Sequence, residues 1–149
     1  MILIAHRGNT NGKLPDRENT NDYIKEAISK GFDVEIDICK WDGEKFYLGH
    51  DDPREPITIE WLQNNPVWCH AKDYKALEQL IKSNIHCFYH NTDKYTITSG
   101  GYIWAYPGQP GGDRTIAVHP HELPDDEVKK CAGVCSDYIE KYKEKKWIY

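Results

Sequence analysis

Short β-rich runs alternate with helical ones along this chain, and most of the β-rich runs end in charged or imidazole side chains. "ILIAH" reads as a strand and "NTNDYIKEAISKG" as a helix. In that helix Tyr23, Ile24, Ala27 and Ile28 keep the i, i+3, i+4 spacing, Asn19 stands at the N-cap position, and Gly31 stops it. "DVEIDICKW" and "EKFYLGH" flank an Asp42-Gly43 turn, a hairpin signal. "TIEWLQN" and "DYKALEQLIKSN" follow as helices, the second capped by Asp73. "VWCHAK", "IHCFYHN", "GYIWAYP" and "TIAVHP" read as strands, and "PDDEVKKCA" and "YIEKYKEKK" as helices around "GVCSD". Such alternation predicts a parallel α/β fold. No repeat or linker interrupts the 149 residues, which predicts a single domain over residues 1–149.

Composition narrows the partners. A net charge of −5 disfavours a nucleic-acid surface, which needs a basic stripe to displace counterions. No apolar run approaches the ~20 residues of a membrane span. "MILIA" runs straight into polar residues without a basic flank, unlike a secretory leader, so a cytoplasmic location without membrane insertion is expected. The five cysteines form no paired CxxC spacing. Cys39, Cys69 and Cys87 lie in apolar strand-like stretches and are expected to be reduced core residues, in preference to zinc ligands or disulfide partners.

The polar residues at the ends of the strand-like runs are His6-Arg7, Glu35/Asp37, His70/Lys72, His90-Asn91, His119 and Ser136-Asp137. In parallel α/β folds and (β/α) barrels that edge builds the active site. Strand alternation puts Glu35 and Asp37 on one face, about 7 Å apart along the chain, and Val34, Ile36 and Ile38 on the other. Two carboxylates so placed repel unless a cation sits between them. The competing reading is an ordinary solvent-facing strand. Hairpin register bears on the choice. With Asp42-Gly43 as the turn His50 falls opposite Glu35, and with Gly43-Glu44 opposite Asp37. Either way it shares their face, about 5 Å from one of them, as a general acid or base beside a metal would. Lys72 shares a face with His70 and either holds a phosphate oxygen as a point charge or is simply solvated.

Taken in order, His6-Arg7-Gly8, Pro15 through Thr20, Glu35-Ile36-Asp37, Asp42-Gly43 and His50-Asp51 resemble the glycerophosphodiester phosphodiesterase family. Its pattern is H-R-G, P-E-N-T, E-x-D, a D-G turn and H-D. Related sphingomyelinase D-like and phosphatidylinositol-specific phospholipase C enzymes share its barrel and its two-histidine logic. "GVCSDYIEKY" is similar to the family's last strand. The resemblance implies a TIM-type (β/α) barrel and a hydrolase of phospholipid metabolism acting on a glycerophosphodiester-like or other small phosphodiester. It implies His6 and His50 as the acid–base pair, Arg7 on the phosphoryl oxygens, and Glu35 and Asp37 on a divalent cation, Mg or Ca. The alternative is a phosphate-ligand binding module that has lost turnover.

Three departures from the pattern stand out. "LPDRENT" carries two extra residues ahead of Glu18. "CHAK" has His70 where the family has the Glu of E-x-K, which keeps a metal ligand but shifts preference toward Mn or Zn, while Lys72 matches. The chain is also short for a barrel of roughly 250 residues, so a compact or irregular barrel is expected, with a homo-oligomer as one way to cover its edges. Trp41, Trp68, Tyr89, Trp104 and Tyr106 either line its mouth or fill its core, and core is expected for most. "SGGYIWAYPGQPGGDR" reads as a strand followed by a loop near the site, a candidate lid.

Overall fold

A computed structural model of the protein describes residues 1–147. Its chain runs β1 (Ile2–His6), α1 (Asn21–Ser29), β2 (Asp33–Trp41), β3 (Phe46–Leu48), β4 (Glu55–Ile57), α2 (Ile59–Gln63), β5 (Val67–Ala71) and α3 (Tyr74–Lys82). It continues through β6 (Cys87–Phe88), β7 (Tyr95–Ile97), β8 (Ile103–Ala105), β9 (Thr115–Val118), α4 (Asp125–Val128), β10 (Gly133–Ser136) and α5 (Ile139–Glu144). Among the described residues all ten strands belong to one sheet. Its centre is a run of parallel strands in the order β6-β5-β2-β1-β10-β9-β8. The α/β expectation holds in this mixed form: β7 lies antiparallel beside β8, and β3 and β4 extend the far half of β2 as an antiparallel meander. The Ser99 N–H donates to the Cys87 carbonyl at 2.8 Å and the Cys87 N–H to the Ser99 hydroxyl at 2.9 Å, tying the β7–β8 turn to β6.

Strand alternation sorts the side chains into two apolar layers. On one face Ala5, Val34, Ile36, Ile38, Cys69 and Val134 pack under Ile24 and Ala27 of α1, Ala76 and Leu80 of α3, and Ile139 of α5. The other face carries a smaller cluster of Ile4, Trp68, Phe88, Trp104, Ile116, Val118 and Cys135. Trp68 and Trp104 are therefore core, each 4% exposed, with Phe88 stacked between neighbours at 4.4 Å from Trp104. Trp41 packs on Phe46 at the hairpin, whereas Tyr89 and Tyr106 are exposed. Two residues beyond this second layer, on the same face, the strands turn polar.

Helix boundaries follow the capping residues closely. The Asp73 carboxylate accepts from the Ala76 N–H and the Thr58 hydroxyl from the Trp61 N–H. At α1 the expected cap is displaced: Thr20 holds the N-cap position, and Asn19 is turned into the left-handed region at φ 55°. The three-residue strands β4 and β7 were not expected, because neither stretch has alternation long enough to read. All five cysteines are free thiols. Cys69 and Cys87 are buried register partners on adjacent strands, Cys131 and Cys135 are buried, and Cys39 is half-buried. Among the described residues no helix is long and apolar enough to cross a membrane.

Candidate functional site

The polar ends of six parallel strands meet in one cleft of about 400 Å³, lined by His6, Arg7, Glu35, His70, Lys72 and His119 among others. Register explains the convergence. His6 is the Cα partner of Glu35 across β1 and β2, and Asp37 that of His70 across β2 and β5. Residues level with each other on adjacent strands share a face, so these four project together. Asp137 arrives one residue past the end of β10, which lies on the other side of β1.

At the end of β1 the chain bends sharply. Arg7 takes φ 54° and Gly8 φ 90°, and a Cβ on Gly8 would lie 2.7 Å from the Tyr23 ring. The bend aims the Arg7 guanidinium back along the strand ends. Its Nε lies 2.9 Å from Asp37 Oδ2, and its Nη1 donates to Glu18 Oε1 at 3.3 Å. The two extra residues ahead of Glu18 are absorbed by Arg54, which donates to the carbonyls of Pro15, Asp16 and Glu18. Asn19 clasps Asp37 twice: its amide donates to Oδ2 at 3.0 Å, and its carbonyl oxygen accepts from the Asp37 N–H at 2.9 Å.

Glu35 and Asp37 are almost wholly buried, at 2% and 0% exposed. Two of their oxygens, Glu35 Oε2 and Asp37 Oδ1, have no hydrogen-bond partner. Orphaned carboxylate oxygens of this depth are costly and call for a ligand. Burial, reinforced by Asp37, pushes the Glu35 carboxyl up to about 7. Burial also works against the Asp37 anion, but Arg7, Lys72 and His70 outweigh it and hold that carboxyl below the usual range.

His70 completes this group. The His90 carbonyl accepts from its Nε2–H at 2.8 Å, so the neutral ring turns an unprotonated Nδ1 toward the acids, 3.6 Å from Asp37 Oδ1 and 3.8 Å from Glu35 Oε1. Burial, aided by the Lys72 charge, drops its pKa to about 4 and keeps it neutral. A second-sphere hydrogen bond on one imidazole nitrogen is what orients the other toward a metal. Ligating atoms of Glu35, Asp37 and His70 lie within 4.8 Å of one another. Two carboxylates and one imidazole form a donor set suited to Mg or Mn and acceptable to Zn or Ca, and the two orphaned oxygens fit that occupant. Lys72 Nζ stands beside it, 3.6 Å from Asp37 Oδ1.

The opposite side is built differently. Asp137 Oδ1 accepts from His6 Nδ1 at 2.7 Å and from the Asn9 amide at 2.8 Å. Burial disfavours the Asp137 anion, yet the His6 and Asn9 bonds carry its carboxyl down to about 2. Burial likewise works against the His6 cation, but Asp137 and Glu35 overcome it and raise the His6 pKa. The free His6 Nε2 lies 3.6 Å from Glu35 Oε2, so this ring bridges the two sides.

His50 is the one expected residue that does not join the cluster. The hairpin takes the second of the two registers, Trp41 opposite Phe46 and Lys40 opposite Tyr47, but a bulge at Cys39 shifts it to Ile38 opposite Leu48. Pairing ends there, with only the Gly49 N–H reaching the Asp37 carbonyl. Gly49, at φ 147° with Asp52 O 2.0 Å from where a Cβ would sit, turns the chain away. His50 thus lies on the rim of the cleft, 45% exposed, its Nδ1 3.0 Å from Asp51.

His119 and Asp137 stand among the polar strand ends of the sequence without an assigned role, and Asn9 and the clasping role of Asn19 were not expected. The signal for the first two was present, since "TIAVHP" and "GVCSD" also end apolar runs in polar groups. Compared with family models, with curated proteins and with solved structures, the chain matches none of them.

Proposed function

We propose that the protein is a metal-dependent phosphodiesterase acting on a small, glycerophosphodiester-like phosphodiester. The observation that carries this reading is the buried Glu35–Asp37 pair, each with one oxygen lacking a hydrogen-bond partner, set against the unprotonated Nδ1 of His70, which lies 3.8 Å from Glu35 Oε1 and 3.6 Å from Asp37 Oδ1. Charge supports it. Arg7 and Lys72 are already engaged by Glu18 and Asp37, and His6 by Asp137, so a further cation would favour entry of an anionic substrate. A divalent ion held by Glu35, Asp37 and His70 would supply that charge and polarise a phosphoryl oxygen.

The remaining work falls to the chain. Arg7 and Lys72, both bordering the cleft, bind the non-bridging phosphoryl oxygens, Arg7 as a planar fork and Lys72 as a point charge. His6, fixed in tautomer and orientation by Asp137, exchanges a proton with the reacting oxygens, an effect typically worth ~10²–10⁴ in rate. The cleft of about 400 Å³ suits a small substrate. The Ser99–Cys87 hydrogen bonds between the two ends of the strand order support an irregular (β/α) barrel with its catalytic face at the strand C-termini.

The test is hydrolysis of bis(p-nitrophenyl) phosphate by chelator-stripped protein, with Mg, Ca, Mn and Zn restored one at a time. Metal-restored turnover that His6→Ala abolishes is the expected result, and turnover that survives in His6→Ala would refute the assignment. Phosphate binding without turnover would favour the second reading, a binding module, which the displacement of His50 to the rim motivates.

A further inference from the structure

A two-proton mechanism needs a second titrating group beside His6, and apart from His70 three further histidines line the cleft: His90, whose Nε2 is taken up by the Asp93 carbonyl at 2.6 Å, His50 and His119. His50 stands on an exposed rim loop and is paired with Asp51. His119 stands inside. Its ring meets that of His6 edge-to-face with centroids 4.5 Å apart, its Nδ1 lies 3.9 Å from Asp137 Oδ2, and its side chain is 23% exposed. Asp137 therefore has one oxygen on each imidazole's side.

The backbone strengthens the case. His119 is left-handed, φ 43° and ψ 57°, immediately before Pro120. A non-glycine residue in that region costs about 1–3 kcal/mol, and a following proline disfavours α-type backbone further. The conformation follows the last residue of β9 and sets the imidazole against His6, where it lines the cleft. Arg7 and Asn19, two of the other four non-glycine residues with positive φ among the described residues, also belong to the site.

We propose that His119 is the catalytic partner of His6 in proton transfer, an assignment that rests on the phosphodiesterase reading above. The attacking hydroxyl gives its proton to one imidazole as its oxygen bonds to phosphorus. The P–O bond to the leaving alcohol breaks with its electron pair on that oxygen, which takes a proton from the other imidazole. With water as the nucleophile the products are an alcohol and a phosphate monoester, with a hydroxyl of the substrate they are an alcohol and a cyclic phosphodiester, and the two rings exchange their proton difference with solvent. His50, at the mouth, contacts the outer part of the substrate.

The experiment compares His119→Asn, His119→Gly and His50→Ala with the wild type on bis(p-nitrophenyl) phosphate at the best metal. Asn and Gly both accept a left-handed backbone, so these variants keep the fold. His119→Asn is expected to lose about 10²–10⁴ in kcat with KM changed only a few-fold. Added imidazole is expected to restore part of the activity of His119→Gly, which a merely structural role would not allow. His50→Ala is expected to keep at least about tenfold more activity than His119→Asn. Wild-type kcat in His119→Asn, or loss in His119→Gly that imidazole leaves untouched, overturns the assignment while leaving the phosphodiesterase reading in place. No wild-type turnover with any metal overturns that reading and this assignment together.

Discussion

The two sides of the cleft handle buried charge in opposite ways. On the β2–β5 side, Glu35 Oε2 and Asp37 Oδ1 have no hydrogen-bond partner, the His6 and Lys72 nitrogens standing 3.6 Å away, and burial pushes Glu35 up to about 7. On the β1–β10 side, Asp137 Oδ1 accepts from both His6 and Asn9, and the carboxyl is carried down to about 2 in spite of its burial. One side waits for a cation, while the other is already organised around a proton. In a low-dielectric interior an unpaired polar atom costs more than a paired one gains. Stability measurements can therefore tell the two sides apart without any substrate.

The largest expected effect is on turnover. Asp137→Asn removes the negative charge that holds the His6 ring in one tautomer and puts an amide donor beside it, and kcat should fall by about 10²–10⁴. The same variant should be destabilised by about 2 kcal/mol at neutral pH. The Asp137 carboxyl ionises below its ordinary 3.8, so its contribution is present above that pH and fades as pH falls toward about 2. Equal urea midpoints for variant and wild type at pH 7 would break the comparison.

Glu35→Gln should move stability the other way. The folded-state value of about 7 lies above the ordinary 4.5, so ionisation of Glu35 subtracts stability as pH rises from about 4.5 to about 7. Metal-free Glu35→Gln should match the wild type near pH 4.5 and exceed it by about 3 kcal/mol above pH 7. A variant less stable than the wild type at pH 8 would show that Glu35 is paired after all. A slightly smaller effect is expected from the metal itself. At a hundredfold excess over Kd it should stabilise the wild type by about 2.7 kcal/mol, and calorimetry should find that gain missing in Glu35→Gln and Asp37→Asn. The smallest is Lys72→Ala, where steady-state kinetics should show a roughly tenfold rise in KM, about 1.4 kcal/mol of phosphate binding. A change confined to kcat would instead give Lys72 a role in the transition state alone.

How much of this was legible follows from which signals are local. His6, Arg7, Glu35, Asp37, His70 and Lys72 meet in the cleft because two-residue alternation and the end of an apolar run are local properties, readable without knowing the partner strand. His50 was misaligned because a single bulged residue at Cys39 breaks any register counted from the turn. Asn19 was read as a helix cap, since nothing local reveals that its amide will meet Asp37 on the next strand. Asp137 could not be paired with His6 from sequence at all. That contact depends on β10 lying beside β1, which is a matter of strand order across nearly the whole chain. His119 joins for the same reason.

The buried thiols have a practical consequence. Burial raises the Cys69 and Cys135 thiols well above their ordinary range, and Cys87 and Cys131 are raised as well. The thiolate is the reactive form and these four side chains are buried, so they are expected to label only when the structure around them opens. Cys39, half-buried at the bulge that turns His50 away from the acids, answers to a smaller opening, the parting of the β2–β3 hairpin. The chain thus carries an internal clock with two hands, one for the rim of the cleft and one for the whole fold, readable by mass without attaching any probe.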